Sequence, residues 1–204
     1  MATGQNATTG NALNAAHGFP DSVRSLIDEE QIAARVKELA AEIEQHFEGL
    51  DGPVTLVPVM TGSMLFTSDL IRHIQRPIRI APVTVQSYPG TAMQSRGARL
   101  QTPVPEALRA TNVLIVDDIL DSGGTLAMLR RLVQAVEPLS IRACVLLRKS
   151  VEHDDSAVCE FVGFDIPDKF VVGYGLDHDG LYRNLPFIGA IGDSLAQPEP
   201  DATT

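Results

Sequence analysis

The sequence predicts an α/β protein with a mostly parallel, twisted sheet flanked by helices. Strand-like and helix-like segments alternate along the chain, as expected when right-handed crossovers join parallel strands. The composition of the 204 residues, 44% hydrophobic and 21% charged, is typical of a globular chain that buries a core. No run of apolar residues is longer than five, whereas a transmembrane helix needs about 20, so a transmembrane helix is excluded.

The first half of the chain shows one strong helix and two strands. Asp28 and Gln31 form a capping box, and the apolar residues after them recur at helical spacing, which predicts a helix over 29–47. Three further segments follow by the same criteria, namely a strand over 55–59, a helix over 64–74 and a strand over 78–85.

The second half continues the alternation. Residues 112–116 read as a buried strand that ends where Asp, Ser and Gly interrupt the apolar pattern. A helix over 126–136 and a strand over 141–147 follow. Ligands of parallel sheets bind beyond the carboxyl ends of the strands, so we expect the chemistry in the loops after Val59 and Val116.

The two ends of the chain differ in composition from its middle. Residues 1–20 carry no charge and are rich in Asn, Thr, Gly and Ala, so we expect a disordered extension there. Residues 193–204, which include two prolines, are expected to form a flexible tail. A single domain over 21–192 remains between them.

Charge and cysteine content limit the location and the partners. The formal net charge of −10 disfavours nucleic acid as a partner, because the surface as a whole repels polyanions. The first twenty residues lack the basic start and the apolar centre of a signal peptide, so a cytoplasmic location is expected and a membrane partner is not. Cys144 and Cys159 match no metal-ligand spacing and are predicted to be buried, reduced thiols.

The most informative segment is an acidic, glycine-rich turn. Residues 113–125 read VLIVDDILDSGGT, so a buried strand leads to the adjacent carboxylates of Asp117 and Asp118, and Asp121 precedes a turn that opens a helix. The glycines allow close approach of the backbone, and backbone N–H groups with a helix N-terminus form a pocket for a phosphate monoester. Carboxylates beside such a pocket suit sugar hydroxyls or Mg²⁺, so the segment predicts a phosphorylated polyol with Mg²⁺.

Three other interpretations of this segment stay open at this point. An Asp-Asp-x-x-Asp pattern also occurs on a helix of prenyl-diphosphate enzymes. Paired aspartates after an apolar strand occur in phosphoacceptor receiver domains. The segment would also suit a purely structural turn with capping aspartates.

The segment resembles the 5-phosphoribosyl-1-diphosphate (PRPP) binding motif of type I phosphoribosyltransferases. Residues 160–177, which read EFVGFDIPDKFVVGYGLD, and residues 182–189, YRNLPFIG, resemble the carboxy-terminal region of hypoxanthine-guanine phosphoribosyltransferases. The resemblance extends from about residue 27 to 191. It implies the type I fold, including a small hood region built from the chain ends, and Mg²⁺-dependent transfer of phosphoribose from PRPP to a 6-oxopurine, with pyrophosphate and a nucleoside monophosphate as products.

The resemblance also implies roles for individual residues. Asp117 and Asp118 would hold the ribose hydroxyls and, indirectly, the metal, and Asp121 would be the general base near N7 of the purine. The 5′-phosphate would be bound by four consecutive residues, Ser122, Gly123, Gly124 and Thr125.

The residues after the turn would bind the base, the metal and the leaving group. Lys149 would meet the 6-oxo group, which disfavours adenine because its 6-amino group presents a second donor. Phe170 would stack on the base and Val171 would offer backbone hydrogen bonds. Asp177 would help to bind Mg²⁺ and would lie near the 2-position of the purine, and Arg183 would reach pyrophosphate. Without the motif, Phe170 would be assigned to the core and Arg183 to the surface.

Two loops complete the expected site. The turn with Thr61 and Gly62 would contact pyrophosphate through its main chain, although many relatives carry Lys or Arg where Thr61 stands. A plain helix N-cap at Ser63 is the alternative. Ser87 and Tyr88 begin a long polar segment that would act as a lid over the site.

The resemblance further implies a homodimer or homotetramer. The alternative from another functional class is a nucleotide-sensing regulator on the same fold, as some relatives that bind RNA or DNA are. Such a regulator needs a basic face, and the charge of −10 argues against one.

Overall fold

The computed structural model describes residues 23–86 and 99–191, so the predicted extension over 1–20 and the tail over 193–204 lie outside the described residues. The chain divides into two compact units. The larger unit contains the described residues between 33 and 168, and the smaller unit contains residues 23–32 and 169–191. The smaller unit is therefore built from both ends of the described chain, as the predicted hood requires.

The larger unit is formed around a seven-stranded sheet. Its strands are β2 (Val54–Met60), β3 (Ile78–Ile80), β4 (Val83–Gln86), β5 (Arg99–Leu100), β6 (Asn112–Leu120), β7 (Ser140–Lys149) and β8 (Phe161–Ile166). The strand order is β5-β4-β2-β6-β7-β8. Strand β3 pairs with the first residues of β2, and β4 pairs with its last two. All pairings are parallel except that of β4 with β5, so the predicted mostly parallel sheet is confirmed.

Helices flank this sheet. They are α1 (Glu29–Phe47), α2 (Met64–His73) and α3 (Gly124–Gln134), and a 3₁₀ turn spans Glu106–Leu108. The start of α1 is the predicted capping box, in which the Gln31 N–H donates to Asp28 Oδ1 at 2.8 Å and the Asp28 N–H donates to Gln31 Oε1 at 3.0 Å. None of the helices in the described ranges is long and apolar enough to span a bilayer.

The two faces of the sheet are buried by different helices. Leu126, Leu129 and Val133 of α3 lie in one apolar cluster with Val113 and Ile115 of β6. Strand residues of the other parity point to the opposite face. There α1 meets β7 and β8, because the Arg142 side chain donates to His46 at 2.9 Å and Arg35 donates to the carbonyls of Val162 and Gly163 at 2.9 Å each.

Four predicted segments need correction, and one of them is the strand expected over 141–147, which spans Ser140–Lys149. The strand expected over 78–85 is two strands, because Pro82 lacks an N–H for the sheet ladder. The strand expected to end at Val116 continues to Leu120, since Asp117 and Ile119 still pair with β7. The helix predicted over 126–136 begins two residues earlier, at Gly124, and ends at Gln134.

The smaller unit contains a three-stranded antiparallel sheet. Its strands β1 (Val23–Ile27), β9 (Val171–Val172) and β10 (Ile188–Ile191) lie in the order β1-β10-β9. Val23 pairs with Ile191, so the two ends of the described chain lie side by side. Val23, Val172, Leu185 and Phe187 form the apolar cluster of this unit.

Candidate active site

The sheet order in the larger unit creates a switch point between β2 and β6. The crossover from β2 through α2 leads to one side of the sheet, to β3 and β4, whereas the crossover from β6 through α3 leads to the other side, to β7. The loops after β2 and β6 therefore diverge at the carboxyl edge of the sheet and leave a crevice for a ligand. Both loops in which chemistry was expected lie at this position.

Asp117 and Asp118 are the last polar residues of β6 before the turn. The Asp118 N–H donates to Asp117 Oδ1 at 3.0 Å, and the Ile119 N–H donates to Asp118 Oδ1 at 2.9 Å. Asp117 is buried, and this burial together with the adjoining Asp118 carboxylate raises its pKa well above the ordinary value of an aspartate. Because these residues lie on a strand, the helical Asp-Asp-x-x-Asp site of prenyl-diphosphate enzymes is excluded.

The turn after β6 has the geometry of an anion pocket. Gly123 precedes α3 with φ of +88°, and a Cβ on it would lie 2.6 Å from the Ala157 Cβ, so no larger residue fits. Ser122 and Gly124 are exposed, while the Ser122 carbonyl accepts a hydrogen bond from the Asp154 N–H at 3.0 Å. The first N–H groups of α3 have no acceptor within the helix and carry the positive end of its dipole.

The loop after β2 approaches the same carboxylates. A Cβ on Gly62 would lie only 1.8 Å from Asp118 Oδ2, so the glycine backbone packs directly against this side chain. The peptide bond between Met60 and Thr61 is cis, and Thr61 is exposed. Ser63 lies at the N-cap position of α2, but its hydroxyl donates to the Val59 carbonyl at 2.8 Å and makes no capping bond, which contradicts the plain N-cap interpretation.

Lys149 lies at the end of β7 between two carboxylates. Its Nζ is 3.1 Å from Asp121 Oδ2 and 3.0 Å from Asp168 Oδ1. Partial burial lowers the pKa of Lys149, but the hydrogen bonds to Asp168 and Asp121 outweigh it, and the net pKa is raised. The lysine expected at the 6-oxo group and the carboxylate expected at N7 are therefore in direct contact.

The smaller unit carries the residues expected at the purine ring. Phe170 is 51% exposed, which contradicts the core assignment that this residue would receive alone. Its ring lies edge-to-face on His178 with centroids 5.2 Å apart, and its carbonyl accepts a hydrogen bond from the Ile191 N–H. Val171 is buried in β9 opposite Ala190, so its backbone position is fixed by the sheet.

Asp177 and Arg183 are joined by an ion pair in the same unit. Arg183 Nη2 lies 2.6 Å from Asp177 Oδ1, Arg183 Nη1 donates to the Gly175 carbonyl, and the Gly180 N–H donates to Asp177 Oδ2 at 2.8 Å. Between residues 173 and 182, six residues have positive φ, three of them not glycine. Backbone of this kind is costly and concentrates at functional sites.

Ser87 and Tyr88 of the expected lid lie outside the described residues, so this prediction is not tested by the structure. Within the described ranges, no group of three or more His, Cys, Asp or Glu side chains is close enough to hold a metal ion on its own. Both cysteines are free, but only Cys144 is buried, and Cys159 is partly exposed.

Three residues near these sites were missed by the sequence analysis. Asp168 contacts Lys149, Asp154 supports the Ser122 turn, and His178 packs on Phe170. Asp168 lies within residues 160–177, the segment that resembles the family, so the sequence offered a signal for this residue. The other two contacts join segments that no spacing rule connects.

Comparison with known proteins identifies the family. The sequence model of one protein family, the phosphoribosyl transferase domain, matches residues 22–179. Hypoxanthine phosphoribosyltransferase of Salmonella typhimurium is 38% identical over 170 residues, covering 83% of this chain and 96% of the relative. Hypoxanthine-guanine phosphoribosyltransferase of Mycobacterium tuberculosis is 37% identical over 184 residues, covering 88% and 91%.

Solved structures agree with the sequence relatives. A hypoxanthine phosphoribosyltransferase from Staphylococcus aureus superposes with a TM-score of 0.80 at 34% identity, covering 90% of this chain and 98% of that one. A hypoxanthine-guanine phosphoribosyltransferase from Bacillus anthracis gives a TM-score of 0.76 at 39% identity, covering 82% and 98%.

Proposed function

Since the chain belongs to the phosphoribosyltransferase family, among the hypoxanthine-guanine phosphoribosyltransferases, we propose that it is a purine salvage enzyme. It transfers the 5-phosphoribosyl group of PRPP to N9 of hypoxanthine or guanine. The products are IMP or GMP and pyrophosphate. We expect this reaction to take place in the cytoplasm. Its ligands are PRPP, the purine base, the nucleoside monophosphate, pyrophosphate and the metal ion.

One observation carries the proposal: the carboxyl edge of β6 and β7 combines a phosphate pocket, a carboxylate pair and a lysine. The glycine turn before α3 offers N–H groups to a phosphate. Asp117 and Asp118 precede that turn on β6. Lys149 ends the neighbouring strand, β7, and its Nζ lies 3.1 Å from Oδ2 of Asp121, which follows β6. A phosphorylated sugar next to a base with an oxo group matches this arrangement.

The sugar phosphate is assigned to the β6 strand and the turn after it. Ser122, Gly123, Gly124 and Thr125 bind the 5′-phosphate through backbone N–H groups and hydroxyls. Asp117 and Asp118 accept hydrogen bonds from the ribose hydroxyls. The close packing of Gly62 against Asp118 holds this carboxylate in place.

Four residues are assigned to the purine on the basis of the family resemblance. Asp121 takes the proton at N7, and Lys149 donates to the 6-oxo group. Phe170 stacks on the ring, which its exposed face permits, and Val171 offers backbone hydrogen bonds to the ring edge. Adenine is rejected because its 6-amino group would meet the donor on Lys149.

The leaving pyrophosphate is assigned to the loop after β2 and to Arg183. Thr61 and Gly62 contribute backbone groups, and Arg183 contributes a guanidinium that its ion pair with Asp177 orients. A threonine at position 61 leaves the side chain without a charge, so this loop acts through its main chain.

The donor set fits Mg²⁺. This ion is commonly held by one or two carboxylates together with water and substrate phosphates, so a three-residue cage among the described residues is not required. We assign Asp177 as a direct ligand and Asp117 and Asp118 as residues that act on the metal through the ribose. When bound, the ion neutralises charge that develops on pyrophosphate.

The residues of the chain contribute to the reaction by positioning and by electrostatics. Departure of pyrophosphate leaves oxocarbenium-like charge on C1 of the ribose, while N9 of the base forms the new bond and N7 loses its proton to Asp121. Arg183 stabilises the leaving group, and the fixed carboxylates hold the sugar in position, so both act mainly in the transition state.

The proposal is tested by measuring pyrophosphate release from PRPP with hypoxanthine, guanine, xanthine and adenine in separate assays. We expect turnover with 6-oxopurines, none with adenine, and loss of all turnover when EDTA removes the metal. Absence of turnover with any base, together with tight PRPP binding, would instead favour a sensor.

A further inference from the structure

The Lys149 side chain has a second acidic partner that the proposed reaction does not use. Asp121 follows β6, Lys149 ends β7 and Asp168 follows β8, and these three strands are neighbours in the sheet. The register pairs Leu120 with Arg148 and Lys149 with Ile166, so the lysine lies between two carboxylates at the same edge.

We propose that Asp168 is the positioning residue for Lys149, fixing its ammonium group so that one N–H remains directed to the oxo group of the base. This inference rests on the proposed function. An ammonium has three N–H donors. Contacts of 3.1 Å to Asp121 and 3.0 Å to Asp168 use two of them, which leaves the third for an acceptor on the ligand.

Asp121 is not a constant partner for the lysine. When Asp121 accepts the purine proton, its carboxylate becomes neutral and its attraction for Lys149 falls. Asp168 takes no part in that transfer and keeps its negative charge. The lysine therefore keeps one anionic partner throughout the reaction.

The surroundings of Lys149 make this partnership important. The Lys149 side chain is only 12% exposed, so partial desolvation disfavours its charged form. Asp121 and Asp168 are the charged groups that face it from the adjoining strands, because Arg148 and Asp165 point to the other side and pair with each other at 2.6 Å. These two carboxylates stabilise the positive charge that selects an oxo group over an amino group.

The test compares Asp168→Asn with a matched control, Asp165→Asn. Both remove one negative charge near β8, but Asp165 binds Arg148 rather than Lys149. For Asp168→Asn we expect the KM for hypoxanthine to rise about 3- to 10-fold, with a smaller change in kcat and weaker discrimination against adenine. Asp168→Glu should restore most of the selectivity, and Asp165→Asn should leave it unchanged.

A second measurement is independent of turnover. The ¹³Cε resonance of Lys149, followed as a function of pH without substrate, should titrate at lower pH in Asp168→Asn than in the wild type. Equal titration and equal base selectivity in the two proteins would overturn the role of Asp168. Failure of the wild type to release pyrophosphate would overturn the proposed function instead, while the titration would still report on the contact.

Discussion

At the scale of single residues, Asp121 is where the proposed chemistry is tested most directly. Asp121→Asn removes the proton acceptor but keeps the size of the side chain. We expect kcat to fall by about 10²- to 10⁴-fold while PRPP affinity, measured by calorimetry, is retained. Asp51→Asn serves as control, because this exposed aspartate lies beside Asn112, at the opposite end of β6 from Asp121. Unchanged turnover in Asp121→Asn would mean that another group or water takes the proton.

Lys149 governs the choice of base rather than the rate alone. Lys149→Ala removes the donor for the 6-oxo group, so we expect the ratio of kcat/KM for hypoxanthine over adenine to fall by about tenfold or more. Lys37→Ala, at an exposed position on α1, provides a comparison of equal charge loss. If both variants discriminate as the wild type does, the assignment of Lys149 is wrong.

The partly exposed thiol gives a prediction about pH. Burial raises the pKa of Cys159 to about 11, so at pH 8 only about one thiol in a thousand is the reactive thiolate. We expect almost no reaction with a disulfide reagent at pH 8 in the native protein, and both thiols to react in denaturant. The native rate should rise as the pH approaches 11, and fast reaction at pH 8 would contradict this.

At the scale of elements, the two glycines at the start of α3 differ in the room that they leave for a side chain. Gly123→Ala forces a side chain to φ of +88° and onto Ala157, so we expect a loss of at least about 1 kcal/mol in the free energy of unfolding, measured with urea. Gly124 has room for a Cβ, whose nearest contact would be Ser122 Oγ at 3.9 Å. Gly124→Ala should therefore keep the wild-type stability, and equal losses in the two variants would contradict the geometry of the turn.

The elements also show what sequence reasoning can reach. The helix over 29–47 was predicted with its boundaries because a capping box and a long apolar period agree locally. Strands β1, β5, β8, β9 and β10 were not predicted. Four of them have only two to five residues, and β1 has its partner, β10, at the other end of the described chain.

The same limit applies to the candidate site. The residues around the β6 turn are contiguous and could be recognised as a motif. The contact between Lys149 and Asp168 depends on the register of β7 against β8, and the packing of Gly62 on Asp118 depends on the register of β2 against β6. In both pairs the strands are parallel and joined by long connections rather than by a short turn of defined geometry, so no spacing rule predicts their register.

At the scale of the whole molecule, the assembly state remains a prediction from the family resemblance. We expect light scattering of the purified protein to give two or four times the chain mass of 21.9 kDa. The net charge of −10 predicts that RNA does not bind at moderate salt. A monomer in solution, or salt-dependent RNA binding, would contradict the respective expectation.

The pairing of β1 with β10 imposes an order on folding during synthesis. All strands of the large parallel sheet have been made once residue 166 leaves the ribosome, so that unit can fold first. Strand β1 is made before any of them but has no partner in its sheet until residues 188–191 emerge. The nascent chain therefore carries an unpaired strand through nearly its whole translation, and premature termination anywhere before β10 would leave that edge open to aggregation.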